Sequence, residues 1–150
     1  MELILWRHAD AEEGGPDKAR KLTAKGLRQA KRMAAWLEAR LPQDAVVLVS
    51  PARRAQQTVA ALTDKFRTVE ALGVGASAQD VLKAAGWSDK NGTVVVVGHQ
   101  PTLGQAAALA VTGKAADWSV RKGALWWLAS RDRETGAKVT VRAVISADLV

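Results

Sequence analysis

Leu3-Ile4-Leu5-Trp6-Arg7-His8-Ala9-Asp10 is a short apolar run that ends on a cation, an imidazole, a small residue and an acid. It reads as a first β-strand that delivers Arg7 and His8 to its carboxyl end. Ligands of parallel α/β sheets bind outside the carboxyl ends of the strands, so a reactive pair placed there marks the first place to look for chemistry. The chain has one other histidine, His99. It follows Thr93-Val94-Val95-Val96-Val97-Gly98, the clearest buried-strand pattern in the sequence.

Outward from that first strand, Ala11 to Leu22 is polar and contains Gly14-Gly15-Pro16, which predicts a loop over the strand end. Thr23 can cap a helix over Thr23 to Leu41, whose apolar positions Leu27, Ala30, Met33, Ala34, Leu37 and Leu41 recur at three and four. Pro42 ends it, and Ala45 to Val49 is a second buried strand. Ser50-Pro51 is a helix-start signal, with serine as cap and proline at the first helical position. The helix should present Ala55, Val59, Leu62 and Phe66 to the core and carry Arg53 and Arg54 in its first turn. Cations are disfavoured at that end of a helix dipole, so something anionic is expected beside them, and a helix amino terminus with an arginine forms a natural phosphate site.

Arg67 to Leu72 can form a third short strand, and Ala78 to Ala85 a short helix after a Gly-rich turn. Gly98-His99-Gln100-Pro101 leads into a helix with Leu103, Ala107, Ala110 and Val111 on one side. Gly123 to Ser130 and Lys138 to Ile145 are strand-like, with Arg131 to Gly136 as a hairpin loop. The fold class is therefore α/β: a three-layer αβα arrangement with a mainly parallel sheet and an antiparallel hairpin near the C-terminus. At 150 residues the chain suits one domain, 1–150.

The chain has no cysteine, which removes disulfides, thiolate metal sites and thiol nucleophiles. No apolar run approaches membrane-spanning length and no long apolar leader precedes Arg7, so a cytoplasmic location and no membrane partner are expected. The net charge of +7 favours anionic partners. The basic residues are scattered without aromatic interleaving, so a solvated basic surface is expected and no nucleic-acid partner.

Taken singly, each histidine or arginine after a strand reads as an ordinary surface or core residue. Their joint placement is different. Arg7 with His8, Arg54 with Arg53 nearby, and His99 all fall at the carboxyl ends of three strands and point at one crevice. Arg7-His8-Ala9 resembles the Arg-His-Gly signature of the histidine phosphatase superfamily, with alanine in place of glycine. Ser50-Pro51-Ala52-Arg53-Arg54-Ala55-Gln56-Gln57-Thr58 resembles that family's second motif and Gly98-His99-Gln100-Pro101 its third. The spacing and the Leu22-Thr23-Ala24-Lys25-Gly26 segment look most like the SixA-type phosphohistidine phosphatases.

The resemblance implies a phosphoglycerate mutase-like fold with His8 as nucleophile, Arg7 and Arg54 as phosphate clamps and His99 as the second imidazole on the transferring phosphoryl group. It implies a phosphatase, a hydrolase of phosphoric monoesters or phosphoamides, acting through a covalent phosphohistidine. The expected partner is a histidine-phosphorylated protein, with the enzyme itself a monomer. No metal or other cofactor is called for, because two guanidinium groups, an imidazole and helix N–H groups can meet the charge of the transition state. Arginines beside His8 should keep its imidazole neutral.

A general acid is not evident. Asp10, Glu12 and Glu70 are candidates by proximity to the strand ends, with Glu12 read as a solvated surface carboxylate. A phosphatase of small phosphorylated metabolites is the alternative, and a non-catalytic anion- or nucleic-acid-binding module resting on charge alone is a third reading. Trp126 and Trp127 should face opposite sides of a covered strand, and Trp118 is a candidate for the crevice wall.

Overall fold

The computed structural model describes residues 1–131 and 138–150. Six strands form one sheet: β1 (Glu2–Arg7), β2 (Val46–Val49), β3 (Arg67–Thr68), β4 (Thr93–Gly98), β5 (Leu125–Arg131) and β6 (Lys138–Ile145). Their order is β3-β2-β4-β1-β5-β6, with β3, β2, β4 and β1 parallel and β5 and β6 added antiparallel at one side. Among the described residues four α-helices complete it: α1 (Ala24–Glu38), α2 (Arg53–Ala60), α3 (Ala78–Ala85) and α4 (Thr102–Thr112).

The apolar runs of β1, β2 and β4 are continuous because helices cover both faces. Leu3, Leu5, Leu48, Val94 and Val96 pack under α3 and α4 with Val81, Ala85, Leu103 and Ala107. Ile4, Trp6, Val49, Val95 and Val97 pack on the other face under α1 and α2 with Met33, Leu37, Ala55 and Val59. Trp6 is fully buried, and its indole N–H donates to the Gly123 carbonyl at 3.1 Å. Truncating such a residue to alanine costs about 3–5 kcal/mol. No helix among the described residues is long and apolar enough to cross a membrane.

Several elements differ from their sequence reading. Leu27 is exposed, because the inward face of α1 runs through Gly26, Ala30, Met33, Ala34 and Leu37, and Leu27 sits one position off it. The second helix starts later than expected, at Arg53. Ser50 does not cap it, since Ala52 is the cap residue and makes no side-chain cap bond. The helix also ends at Ala60, so Leu62 and Phe66 pack on the core from the following segment. The third strand is reduced to two residues, and Glu70–Leu72 turns into a 3-10 helix that buries Leu72. The predicted hairpin loop lies outside the described residues except for Arg131, which ends β5. Trp127 is buried and Trp126 half-buried. Trp118 stacks on Trp126 with ring centroids 5.0 Å apart, packed on the α3 and α4 side rather than in the crevice.

Candidate active site

The parallel pairing of β1, β2 and β4 brings their carboxyl ends level, with Arg7 opposite Gly98 and Val49 opposite Val97. The next residue on each strand is then a site residue. His8 donates its backbone N–H to the Gly98 carbonyl and Ser50 its own to the Val97 carbonyl, both at 3.0 Å. These bonds set His8, Ser50 and His99 side by side. The imidazole rings of His8 and His99 lie with centroids 5.3 Å apart, both buried. A pocket of about 270 Å³ above them is lined by Arg7, His8, Arg54 and His99, the four residues singled out in the sequence, and also by Glu13, Arg20, Val74, Gln100 and Lys122.

The protonation pattern of His8 follows from its partners. Its Nδ1 is 2.7 Å from the Ala9 carbonyl oxygen. A carbonyl can only accept, so Nδ1 carries the proton and Nε2 keeps its lone pair. The Nε2 atom accepts from Nε of Arg54 at 3.3 Å. Burial, with His99, Arg54 and Arg7 nearby, depresses the His8 pKa to about 3, against the opposing bond to Ala9. The ring is therefore neutral near pH 7. Ala9, where the signature has glycine, is fully buried in a small cluster with Ala11, Leu22 and Ala30, and its N–H donates to Thr58 Oγ1 at 3.0 Å.

Arg54 is buried at the first turn of α2, and its anionic neighbour is a carboxylate of the chain itself. The loop between β1 and α1 is pinched by a bridge between Ala11 and Leu22 and carries a 3-10 turn over Asp17–Ala19. From that turn Asp17 accepts Arg54 Nη1 on its carbonyl at 2.8 Å and Nη2 on its carboxylate at 3.2 Å. The same carboxylate pairs with Arg20 Nε at 3.2 Å. Hydrogen bonding from Arg54 holds the Asp17 carboxyl below the ordinary range. Arg53, one residue earlier, is exposed and lies outside the pocket.

Arg7 donates from Nη1 to the Val120 carbonyl at 3.0 Å, while its buried Nε has no partner among the described residues. His99 Nε2 is 2.7 Å from Ser50 Oγ, which accepts the Ala52 N–H at 3.1 Å. Its buried Nδ1 has no hydrogen-bond partner among the described residues. Burial, then Arg54, lowers the His99 pKa to about 4.

His8, His99, Arg7, Arg20 and Arg54 thus surround one pocket. The model of the histidine phosphatase superfamily (branch 1) matches residues 3–73. A Mycobacterium tuberculosis protein without an assigned function is 33% identical over 118 residues, covering 76% of this chain and 75% of the relative. The chain belongs to the histidine phosphatase superfamily. The phosphohistidine phosphatase SixA of Escherichia coli is 29% identical over 117 residues, 72% of this chain and 73% of SixA. A structure of the protein histidine phosphatase SixA complexed with tungstate has the same fold, with a TM-score of 0.82 at 24% identity over 99% of both chains.

In this histidine phosphatase the sequence-level acid candidates fare differently. Asp10 is committed elsewhere: its carboxylate accepts from Thr23 Oγ1 at 2.7 Å and from Lys122 Nζ at 3.0 Å, which holds it below the ordinary range. Glu12 and Glu70 do not line the histidine pocket; the pocket's carboxylate is Glu13, exposed and 3.8 Å from Arg20. Sequence reasoning missed Asp17, Ser50 as a partner of His99, and Glu13. The unexpected cations at the start of α2 were the signal for Asp17, since a buried arginine there demands a counter-charge. Gly26 also has a structural reason: a Cβ there would stand 1.9 Å from the Asp10 carbonyl oxygen, so glycine lets the loop after β1 cross the start of α1. Among the described residues no three His, Asp or Glu side chains are arranged to hold a metal ion.

Proposed function

We propose that this histidine phosphatase hydrolyses phosphohistidine on a protein through a covalent phosphoryl-His8 intermediate and without a metal. The observation that carries the reading is His8: a buried, neutral ring with its proton committed to the Ala9 carbonyl and its Nε2 lone pair facing the Arg54 guanidinium. In the first step Nε2 attacks phosphorus, the bond from phosphorus to the substrate nitrogen breaks, and that nitrogen keeps the electron pair and takes a proton. The phosphoryl oxygens take over the N–H groups of Arg54 and meet Arg7. In the second step water attacks phosphorus, the bond to His8 Nε2 breaks, and phosphate leaves with the neutral ring restored.

His99 supports the same transfer through its tautomer. When Ser50 donates its hydroxyl proton to Nε2, the ring proton sits on Nδ1, the nitrogen with no partner among the described residues, and Nδ1–H can donate to a phosphoryl oxygen. Fixed donors of this kind stabilise developing charge at no cost of reorganisation.

The choice of phosphohistidine rests on the carboxylates. An ester needs an acid for its departing alkoxide. Imidazole leaves as a base whose conjugate acid has a pKa of about 6.5 and collects a proton easily near neutrality. Asp10 is held ionised by Thr23 and Lys122, which makes it a poor acid. Glu13 favours the second reading, a phosphatase of phosphate esters, because it is an exposed carboxylate on the pocket wall held only by a 3.8 Å ion pair to Arg20. The test is kcat/KM at matched salt on a histidine-phosphorylated protein domain, phosphoserine peptides and sugar monophosphates, for the native chain and for Glu13→Gln. Preference for the phosphohistidine domain, unchanged in Glu13→Gln, supports the proposal. A better ester substrate whose turnover collapses in Glu13→Gln transfers the assignment to ester hydrolysis.

A further inference from the structure

A second cavity, of about 470 Å³, adjoins the histidine pocket and shares Arg7 and Lys122 with it. Its walls come from four parts of the chain: Arg7 and Asp10 at the end of β1, Lys25 and Gln29 on α1, Arg121 ahead of β5, and Asp148 after β6. Four cations meet two carboxylates there, and one of those carboxylates, Asp10, is already bound by Thr23 and Lys122. Lys25 and Arg121 make no ion pair within 4.0 Å among the described residues. The cavity is thus polar, positively charged and separated from the place where phosphorus is expected to react only by a wall that includes Arg7 and Lys122.

We propose that this cavity is a docking cleft for acidic side chains that flank the phosphorylated residue of a protein substrate. The inference rests on the reading of the enzyme as a protein phosphohistidine phosphatase. The shared Arg7 and Lys122 wall carries it, because a peptide whose phosphoryl group enters the histidine pocket must lay its neighbouring residues along that wall. Lys25 and Arg121 are the cations left to receive them. The occupant is a peptide carboxylate rather than a nucleic-acid backbone: no aromatic ring among the described residues lines the cleft to stack a base, and the Asp148 carboxylate interrupts any continuous phosphate track.

Two phosphohistidine peptides separate the cleft from the chemistry, one flanked by Asp and Glu and the other by Asn and Gln at the same positions. Phosphoramidate serves as a substrate too small to reach the cleft. The native enzyme should prefer the acidic peptide by about fivefold in kcat/KM, carried by KM, the effect of two exposed ion pairs. The preference should fade at 1 M salt, where the screening length falls to about 3 Å. In the double variant Lys25→Glu, Arg121→Glu the preference should vanish or invert while phosphoramidate turnover is unchanged. Lys25 lies in the first turn of α1, where a carboxylate is favoured by the helix dipole, so the fold should tolerate the change. Equal turnover of the two peptides by the native enzyme, or a preference that survives the double variant, overturns the cleft assignment alone. Failure to cleave either phosphohistidine peptide, with phosphoserine peptides cleaved, overturns the functional reading and the cleft with it. Inhibition by a single-stranded oligonucleotide that the double variant relieves, with no peptide preference, overturns it in favour of a nucleic-acid partner.

Discussion

The turn after β1 and the turn after β4 each place one histidine at the same height on the sheet, yet the two rings are built into different states. His8 is tied at Nδ1 to a carbonyl of its own neighbour, which leaves no choice of tautomer. His99 is tied at Nε2 to a hydroxyl, a group that can donate or accept, so its tautomer depends on Ser50. In the proposed reaction the carbonyl partner makes His8 a fixed nucleophile and the hydroxyl partner makes His99 an adjustable donor. Equivalent positions in two β-α units are thus given unequal roles by one hydrogen-bond partner each.

The largest expected effect after loss of His8 itself is on the guanidinium that faces it. Arg54→Ala should lower kcat/KM by about 10²–10³, the cost of one strong transition-state donor. Arg53→Ala, on an exposed side chain one residue away, should stay within about twofold. A reversed order would break the account of the His8 side.

Next comes the His99 side. Ser50→Ala removes the group that sets the tautomer, and should lower kcat by about tenfold with KM little changed, the size of one lost hydrogen bond acting in the transition state. If Ser50→Ala matches the native enzyme, the hydroxyl does not govern His99 and the distinction between the two rings fails.

How much of this was legible in the sequence depends on distance along the chain. β1, β4 and the amphipathic α1 follow from local periodicity, and α3 was placed at Ala78 to Ala85 after a Gly-rich turn, where the structure adds a capping box of Ser77 and Asp80. Arg7, His8, Arg54 and His99 were singled out because each sits at or just past the end of a recognisable strand or at a helix start. Ser50 was misread as a helix cap because a serine before proline has that local meaning. Its real partner lies 49 residues away across the sheet. The arginines at the start of α2 called for an anion, but nothing in a polar loop says which carboxylate will fold back 37 residues to meet them, so Asp17 itself was not named.

Titration sharpens the comparison at smaller cost. His8 and His99 are the chain's two histidines, so ring NMR resonances report them without ambiguity. Both should titrate well below the ordinary 6.5, near 3 for His8 and near 4 for His99. The unfolded chain binds these protons from about 6.5 downward while the folded chain does not, so the two rings make folding less stable as pH falls from about 6.5 towards 4. Denaturation midpoints should decline across that window. A ring midpoint near 6.5 would contradict the buried, neutral state. The smallest expected effect is none at all: chelators should leave turnover unchanged, and a strict requirement for a divalent ion would contradict the metal-free reaction.

The central claim is that His8 carries the phosphoryl group. Rapid quenching during turnover of a ³²P-labelled phosphohistidine protein domain should trap a phosphoenzyme that is stable to base and labile to acid, with the label on the peptide containing His8. His8→Ala should lose label and turnover together, while His99→Ala retains a slower labelling at His8. Undiminished turnover in His8→Ala, or a label found at another residue, would contradict it.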